Sequence, residues 1–253
     1  MSVRRKPAIA RAFDRAEAYD AHALIQREAA IRLAGLIAEL DIPADATVLE
    51  IGCGTGFLSA ELARLFPGAR LILTDLSPSM VSRARKVVDA RFLVMDGERP
   101  ALRSGAAQLV CSSLTFQWFA DLGAAVTRLY DLLPPGGHLA FATLAAGTFA
   151  EWRAAHDAAG ASPATRDYPS AAEIRAACPP AACIETQTLI ETHADGRAFL
   201  RGLKAIGAQT PWGLRAPLAP ASMRRVLRAF EETGSSVTYE IAHVLIGKMP
   251  EGL

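Results

Sequence analysis

Between residues 8 and 40, apolar side chains recur at three-to-four spacing: Leu24, Ile31, Leu36, Ile37 and Leu40 stand among polar neighbours. That period predicts one face of a helix. Pro43 then breaks the chain ahead of a short apolar run, Thr47 to Ile51, which reads as a strand. Beyond it the two patterns alternate. LSAELARLF, SPSMVSRARKVV and DLGAAVTRLYDLL read as helices, the second opened by Ser-Pro, whereas RLILTD, RFLVMD, AQLVCSSL and, after a PPGG turn, HLAFATL read as strands. Strands that are almost continuously apolar, separated by helices, indicate a mostly parallel sheet covered on both faces. Past residue 147 the order changes. TFAEWRAAHDAA is helical, residues 160–170 (GASPATRDYPS) read as a surface loop, and CIETQTLIET is a strand. Residues 195–232 hold two helical stretches around the Pro-rich joint TPWGLRAPLAP, and VTYEIAHVLIGK is the last strand. With no internal repeat and no low-complexity linker, the expectation is one α/β domain with a helical cap around its late strands.

Composition narrows the function classes. A chain of 253 residues, 51% hydrophobic and 21% charged, can bury a sizeable core and is not a disordered polymer. Its formal net charge of +1 gives no global pull towards nucleic acid or an anionic membrane. No stretch of about 18 uncharged apolar residues exists to span a bilayer. The basic start, MSVRRKPAIARAF, lacks the apolar segment of a secretory signal. Cys53, Cys111, Cys178 and Cys183 form no C-x-x-C pair, and Pro-Pro-Ala-Ala between the last two is poor metal-ligand spacing. A reduced, soluble, cytoplasmic protein without a metal is expected.

The chemistry concentrates after the first strand, in Val48-Leu49-Glu50-Ile51-Gly52-Cys53-Gly54-Thr55-Gly56. Alternate glycines between a strand and a helix permit positive φ and let the backbone approach a ligand closely. A dinucleotide fingerprint would need glycine at 57, where Phe57 stands, and the phosphate-binding G-x-x-x-x-G-K-[ST] is absent, so a pyrophosphate is disfavoured. Three carboxylates point to another ligand. Asp75 closes the second strand, where it can accept from both ribose hydroxyls; Asp96 ends the third, placed to accept from an adenine amino group; Glu50 lies beside the glycine loop, where an anion suits a cation. Together they suit a positively charged nucleoside such as S-adenosylmethionine (SAM).

The ordered segments LEIGCGTG, TDLS, MDGE and PPGG, over roughly residues 45–145, resemble the class I SAM-dependent methyltransferases. The resemblance implies a Rossmann-like seven-stranded sheet, mostly parallel with an antiparallel last strand, plus an N-terminal helix and a helical cap. It divides the single domain into an N-terminal lid (1–44), a SAM-binding core (45–147), late strands with a substrate cap (148–235) and the last strand (236–247). It also implies that Gly52, Gly54 and Gly56 line the methionine part of SAM, that Asp75 and Leu76 hold the ribose end, and that Asp96 with Gly97 meets the adenine. Outside this core, the segments from Ile9 to Arg27, Leu114 to Trp118, Gly147 to Glu151, Leu203 to Ala208 and Val237 to Glu240 are similar to the malonyl-acyl-carrier-protein O-methyltransferases of biotin synthesis. That similarity implies esterification of the free carboxylate of a malonyl thioester, with an acyl carrier protein as partner.

A malonyl carboxylate has a pKa of roughly 4 and is already an anion at pH 7, so no catalytic base is required. One cation should orient it. Arg166, in the loop with Tyr168, is the first choice and Lys204, in LKAIGA, the second. Tyr19 is expected to close the SAM pocket with its ring or hydroxyl, or else to serve in packing. His22 and Gln26, one helical turn apart, are candidates for the substrate side, with His22 expected to be buried and structural. Gln117 and Trp118 follow the strand that should face the methyl group, and Trp118 is either core or substrate wall. Arg197, Arg201 and Lys204, and Arg224, Arg225 and Arg228, recur at helical spacing and could meet an acidic carrier protein. Two other readings stay open: a related enzyme for a different small carboxylic acid or a quinone-like ring, and a SAM-binding regulatory protein without turnover.

Overall fold

The computed structural model describes residues 6–163, 165–208 and 218–249. The N-terminal segment is three helices, α1 (Lys6–Asp14), α2 (Tyr19–His22) and α3 (Leu24–Ile37), where the periodicity predicts one. Tertiary contacts fix the chain where the first helix ends. The Asp14 carboxylate accepts from Ser77 Oγ at 2.6 Å and Ser79 N at 3.3 Å, and the carbonyl of Ala16 accepts from Arg83. Ala23, fully buried with φ −100° and ψ 42°, makes the second break.

The sheet contains β1 (Thr47–Ile51), β2 (Arg70–Asp75), β3 (Arg91–Val94), β4 (Leu109–Ser113), β5 (His138–Leu144), β6 (Cys183–Thr192) and β7 (Ser236–Gly247). Their spatial order is β3-β2-β1-β4-β5-β7-β6. The first five run parallel, and β7 lies antiparallel between β5 and β6. The seven-stranded, mostly parallel sheet with an antiparallel last strand is therefore present. Each of β1 and β4 is buried almost throughout because helices cover both faces. On one face pack α3 and α4 (Phe57–Leu65); on the other packs α6 (Leu122–Asp131).

Helix α5 (Pro78–Ala84) starts as its Ser-Pro predicts, with Ser77 Oγ accepting from Met80 N, but ends four residues before Val88. Past β5 come α7 (Ala150–Ala158), α8 (Ala171–Ala176), α9 (Gly196–Ala205) and α10 (Pro220–Glu232). The short α8 carries a reciprocal Ser170–Glu173 capping box, a signal visible in the sequence. Most of the Pro-rich joint between α9 and α10 lies outside the described residues. No helix among the described residues is long and apolar enough to cross a membrane.

The strand order reverses between β1 and β4, so their carboxyl ends diverge and leave a crevice. The glycine loop, Asp75, Asp96 and the segment after β4 all open into it.

Candidate active site

The glycine loop is shaped by its neighbours. Gly52 has φ +73°, and a Cβ there would stand 2.1 Å from Thr115 Oγ1, so a side chain is excluded twice over. Gly54, at φ +53°, donates its N–H to Asp75 Oδ2 at 3.0 Å. Ser77 N donates to Asp75 Oδ1 at 2.8 Å. Two backbone donors thus fix the rotamer of Asp75 and aim its remaining lone pairs at the crevice, while burial pushes its pKa up. Asp96 accepts from Glu98 N at 3.0 Å and from the Lys6 ammonium at 2.5 Å.

These groups line a cavity that encloses, with its mouth, about 750 Å³, within the range of small-molecule sites. Gly52, Gly54, Asp75, Leu76, Asp96 and Gly97 lie on it, and Tyr19 and Trp118 form its far wall. Gly97 has no room for a side chain, since a Cβ would meet Ile51 Cγ2 at 2.3 Å. Met80, Met95 and Phe119 add apolar surface of the kind a purine needs, and Ser113 Oγ is buried beside it with no partner in the protein. Carboxylates for a ribose and an exocyclic amine, apolar walls and an orphaned hydroxyl fit SAM.

Two expected SAM contacts lie elsewhere. Glu50 is 1% exposed, bonds Ser59 Oγ at 2.5 Å, and does not line the cavity. Burial raises its pKa to about 8, which favours the neutral acid at pH 7. Gly56, at φ +102°, packs against Val87 where α4 begins and also stays off the cavity; its glycine answers to backbone geometry.

A second, larger cavity, about 1330 Å³ with its mouth, shares Phe13, Tyr19, Leu114 and Trp118 with the first. Those four side chains form the partition between them. Trp118 is half-buried, with Phe13 edge-on at 5.4 Å, and Tyr19 stacks on Phe57 at 6.3 Å. Desolvation, followed by the Asp75 charge, raises the Tyr19 pKa, so it remains a phenol. Gln26, Gln117 and Arg166 line the second cavity, and the side-chain oxygens of both glutamines are buried without a partner. Arg166 donates to the carbonyls of Gln117 and Phe119, which sets the plane of its guanidinium against the turn after β4. Among the described residues lining this cavity, Arg166 is the one charged side chain, and none is His, Cys, Asp, Glu or Lys. Tyr168 and Tyr239 contribute phenols held protonated by burial, Tyr168 at about 12.

Sequence reasoning passed over Tyr239, Trp152 and Met223 as cavity wall, because strand and helix periodicity reports burial without saying against what. It also passed over Lys6. Conversely, Lys204 sits on the exposed side of α9 and lines neither cavity. A cation there cannot orient a group inside. His22 is exposed, contrary to the buried role expected of it, because the chain leaves the helix at Ala23; it borders a small side pocket with Gln26.

Residues 48–137 match the methyltransferase domain family. The chain is 47% identical over 238 residues to the biotin biosynthesis bifunctional protein BioCD of Bordetella avium, covering 93% of this chain and 51% of that protein. It thus spans about half the length of that relative. It is 39% identical over 252 residues to a malonyl-[acyl-carrier protein] O-methyltransferase of Magnetococcus marinus, covering 96% of this chain and 92% of that one. The chain belongs to the malonyl-[acyl-carrier protein] O-methyltransferase family. It is a class I methyltransferase with SAM as methyl donor. The fold of this methyltransferase is shared by the YcgJ protein of Bacillus subtilis, at TM-score 0.62 and 16% identity, covering 88% of this chain and all of that one. It is shared too by a geranyl diphosphate C-methyltransferase of Streptomyces coelicolor, at TM-score 0.51 and 16% identity over 85% of this chain and 78% of that one.

Proposed function

We propose that this methyltransferase esterifies the free carboxylate of a malonyl group carried as a thioester on acyl carrier protein. The observation that carries the reading is the second cavity: its described lining holds one cation, Arg166, and no side chain able to act as a base at neutral pH. An enzyme that had to remove a proton would need such a base within hydrogen-bond reach. A carboxylate, ionised above a pKa of roughly 4, needs only to be held.

SAM, when bound, supplies an electrophilic methyl group on a sulfonium. We assign its nucleoside to Asp75, Leu76, Asp96 and Gly97, its methionine end to Gly52 and Gly54, and leave Glu50 and Gly56 to support the loop. Arg166 orients the malonyl carboxylate, and Gln117 and Gln26 offer amide groups to the acyl chain. Tyr19, Phe13 and Trp118, at the partition, define where the two substrates meet and keep water out. Positioning and water exclusion of this kind are worth up to about 7–11 kcal/mol. The chain works as one domain: a lid over 1–44, a core over 45–147, a cap over 148–235 and the closing strand 236–247.

The exposed faces of α9 and α10 bear Arg197, Arg201 and Lys204, and Arg224, Arg225 and Arg228. The two helices contact each other, which supports a joint basic surface for the carrier protein. Lys204 moves in this reading from the active site to docking. The four cysteines are unpaired, in keeping with a reducing, cytoplasmic setting.

Intact-protein mass spectrometry of malonyl-acyl carrier protein, after incubation with enzyme and SAM, tests the proposal. One methyl mass gained, and none with acetyl-carrier protein or without SAM, is expected. No gain despite SAM binding would refute the substrate assignment.

A further inference from the structure

Helix α1 lines the cofactor cavity with Lys6, Ile9, Ala10 and Phe13, and the charged one of the four meets carboxylates. Lys6 Nζ stands 2.5 Å from both oxygens of Asp96 and 2.5 Å from Glu98 Oε2, and its side chain is only 17% exposed. Glu98, 5% exposed, is tied down on its other side: Oε1 accepts from Ala120 N at 2.7 Å. Its carbonyl accepts from Arg128 on α6. One carboxylate of the pair is thus anchored to the rigid core, whereas the other opens into the cavity at its Gly97 end. At its far end, α1 is fastened by Asp14 to Ser77, which itself donates to Asp75. Each of the two cavity carboxylates therefore has a contact leading to α1.

We propose that Lys6 is a positioning residue for the methyl donor: it clasps α1 over the cavity through Glu98 and holds Asp96 oriented for the amino group of a bound adenine. This rests on the assignment of the adenine to Asp96 made above. An ionised carboxylate accepts at about four lone-pair sites, so Asp96 serves the ammonium and an adenine amine together. Glu98 keeps Lys6 in place while Asp96 engages the ligand. Without Lys6, the Asp96 and Glu98 carboxylates lose the ammonium they share, and α1 loses its clasp at that end. The same residue then affects binding of SAM and of its demethylated product, S-adenosylhomocysteine, because both present the same adenosine.

The test is calorimetric titration with S-adenosylhomocysteine at low and high salt. Lys6→Met is expected to weaken binding about tenfold at low salt, the scale of a charge-assisted contact, and to flatten the salt dependence expected of the intact protein. Lys6→Arg is expected to restore most of the affinity. Glu98→Gln should weaken binding too, and the double variant should lose less than the product of the single losses. A tether that only stabilised α1 would not give a salt slope that disappears with the charge. Unchanged affinity in Lys6→Met, or full additivity with Glu98→Gln, overturns the proposal. The underlying assignment fails separately: it falls if Asp96→Ala leaves affinity intact.

Discussion

Asp75 gives the sharpest test of how the cavity holds a nucleoside. In Asp75→Asn the side chain keeps its size, but one oxygen becomes an amide NH2. Gly54 N and Ser77 N donate to different oxygens of Asp75, at 3.0 and 2.8 Å, so one of these donors would then confront another. Two ribose hydroxyls bonded to a charged acceptor are worth about 1.5–3 kcal/mol each. Losing the charge and one acceptor should remove about 3 kcal/mol, roughly two decades in the dissociation constant of S-adenosylhomocysteine. Stability should respond far less. Burial raises the Asp75 pKa, so its ionised form is costly in the fold, and the amide relieves that cost while forfeiting one hydrogen bond. Calorimetric titration combined with a thermal melt separates the two. A folded variant that bound within threefold of the parent would refute the assignment of Asp75 to the ribose.

Other consequences are equally specific. Arg166→Ala should raise KM for the malonyl substrate about tenfold or more while leaving S-adenosylhomocysteine affinity unchanged, and Arg166→Lys should rescue only in part because a point charge cannot bond two carbonyls in one plane; steady-state kinetics and calorimetry read both. Glu50 binds its proton more tightly folded, with a pKa of about 8 against an ordinary 4.5, so its contribution to stability is full below pH 4.5 and lost as pH rises from there to about 8. The advantage of Glu50→Gln in melting temperature should therefore grow between pH 5.5 and pH 8.5, and a constant difference would contradict the burial argument. Reversing Arg197, Arg201 and Lys204 to Glu should raise KM for the carrier-protein substrate at low salt and little at high salt, whereas an unaltered KM would remove α9 as the docking face.

Much of the architecture was legible in the chain, because β1, β4 and β5 are largely apolar runs buried almost throughout, as strands covered on both faces must be. The glycine loop was legible for the same reason that it is constrained: Gly52 has a positive φ and a crowded Cβ, and glycine alone satisfies both. Carboxylates at strand ends could be placed by counting, since a parallel sheet brings such ends to one edge. What counting could not supply was the direction of each side chain. Glu50 and Asp75 look alike as strand-end acids, yet the first turns into the core towards Ser59 and the second is aimed outward by two backbone donors. The single helix expected over 8–40 is three, and contacts from Ser77, Ser79 and Arg83, more than 60 residues away, hold Asp14 and Ala16 at the first of the two breaks. Arg166 and Lys204 were the first and second candidates for the orienting cation, and only the packing of the loop around Tyr168 and of α9 put the one in the cavity and the other on the surface. Local pattern determines the strands, the turn and the order of elements, since those depend on neighbours a few residues apart. Whether a charged group is solvated, neutralised or aimed at a ligand depends on partners distant in sequence, and the tertiary structure alone decided that.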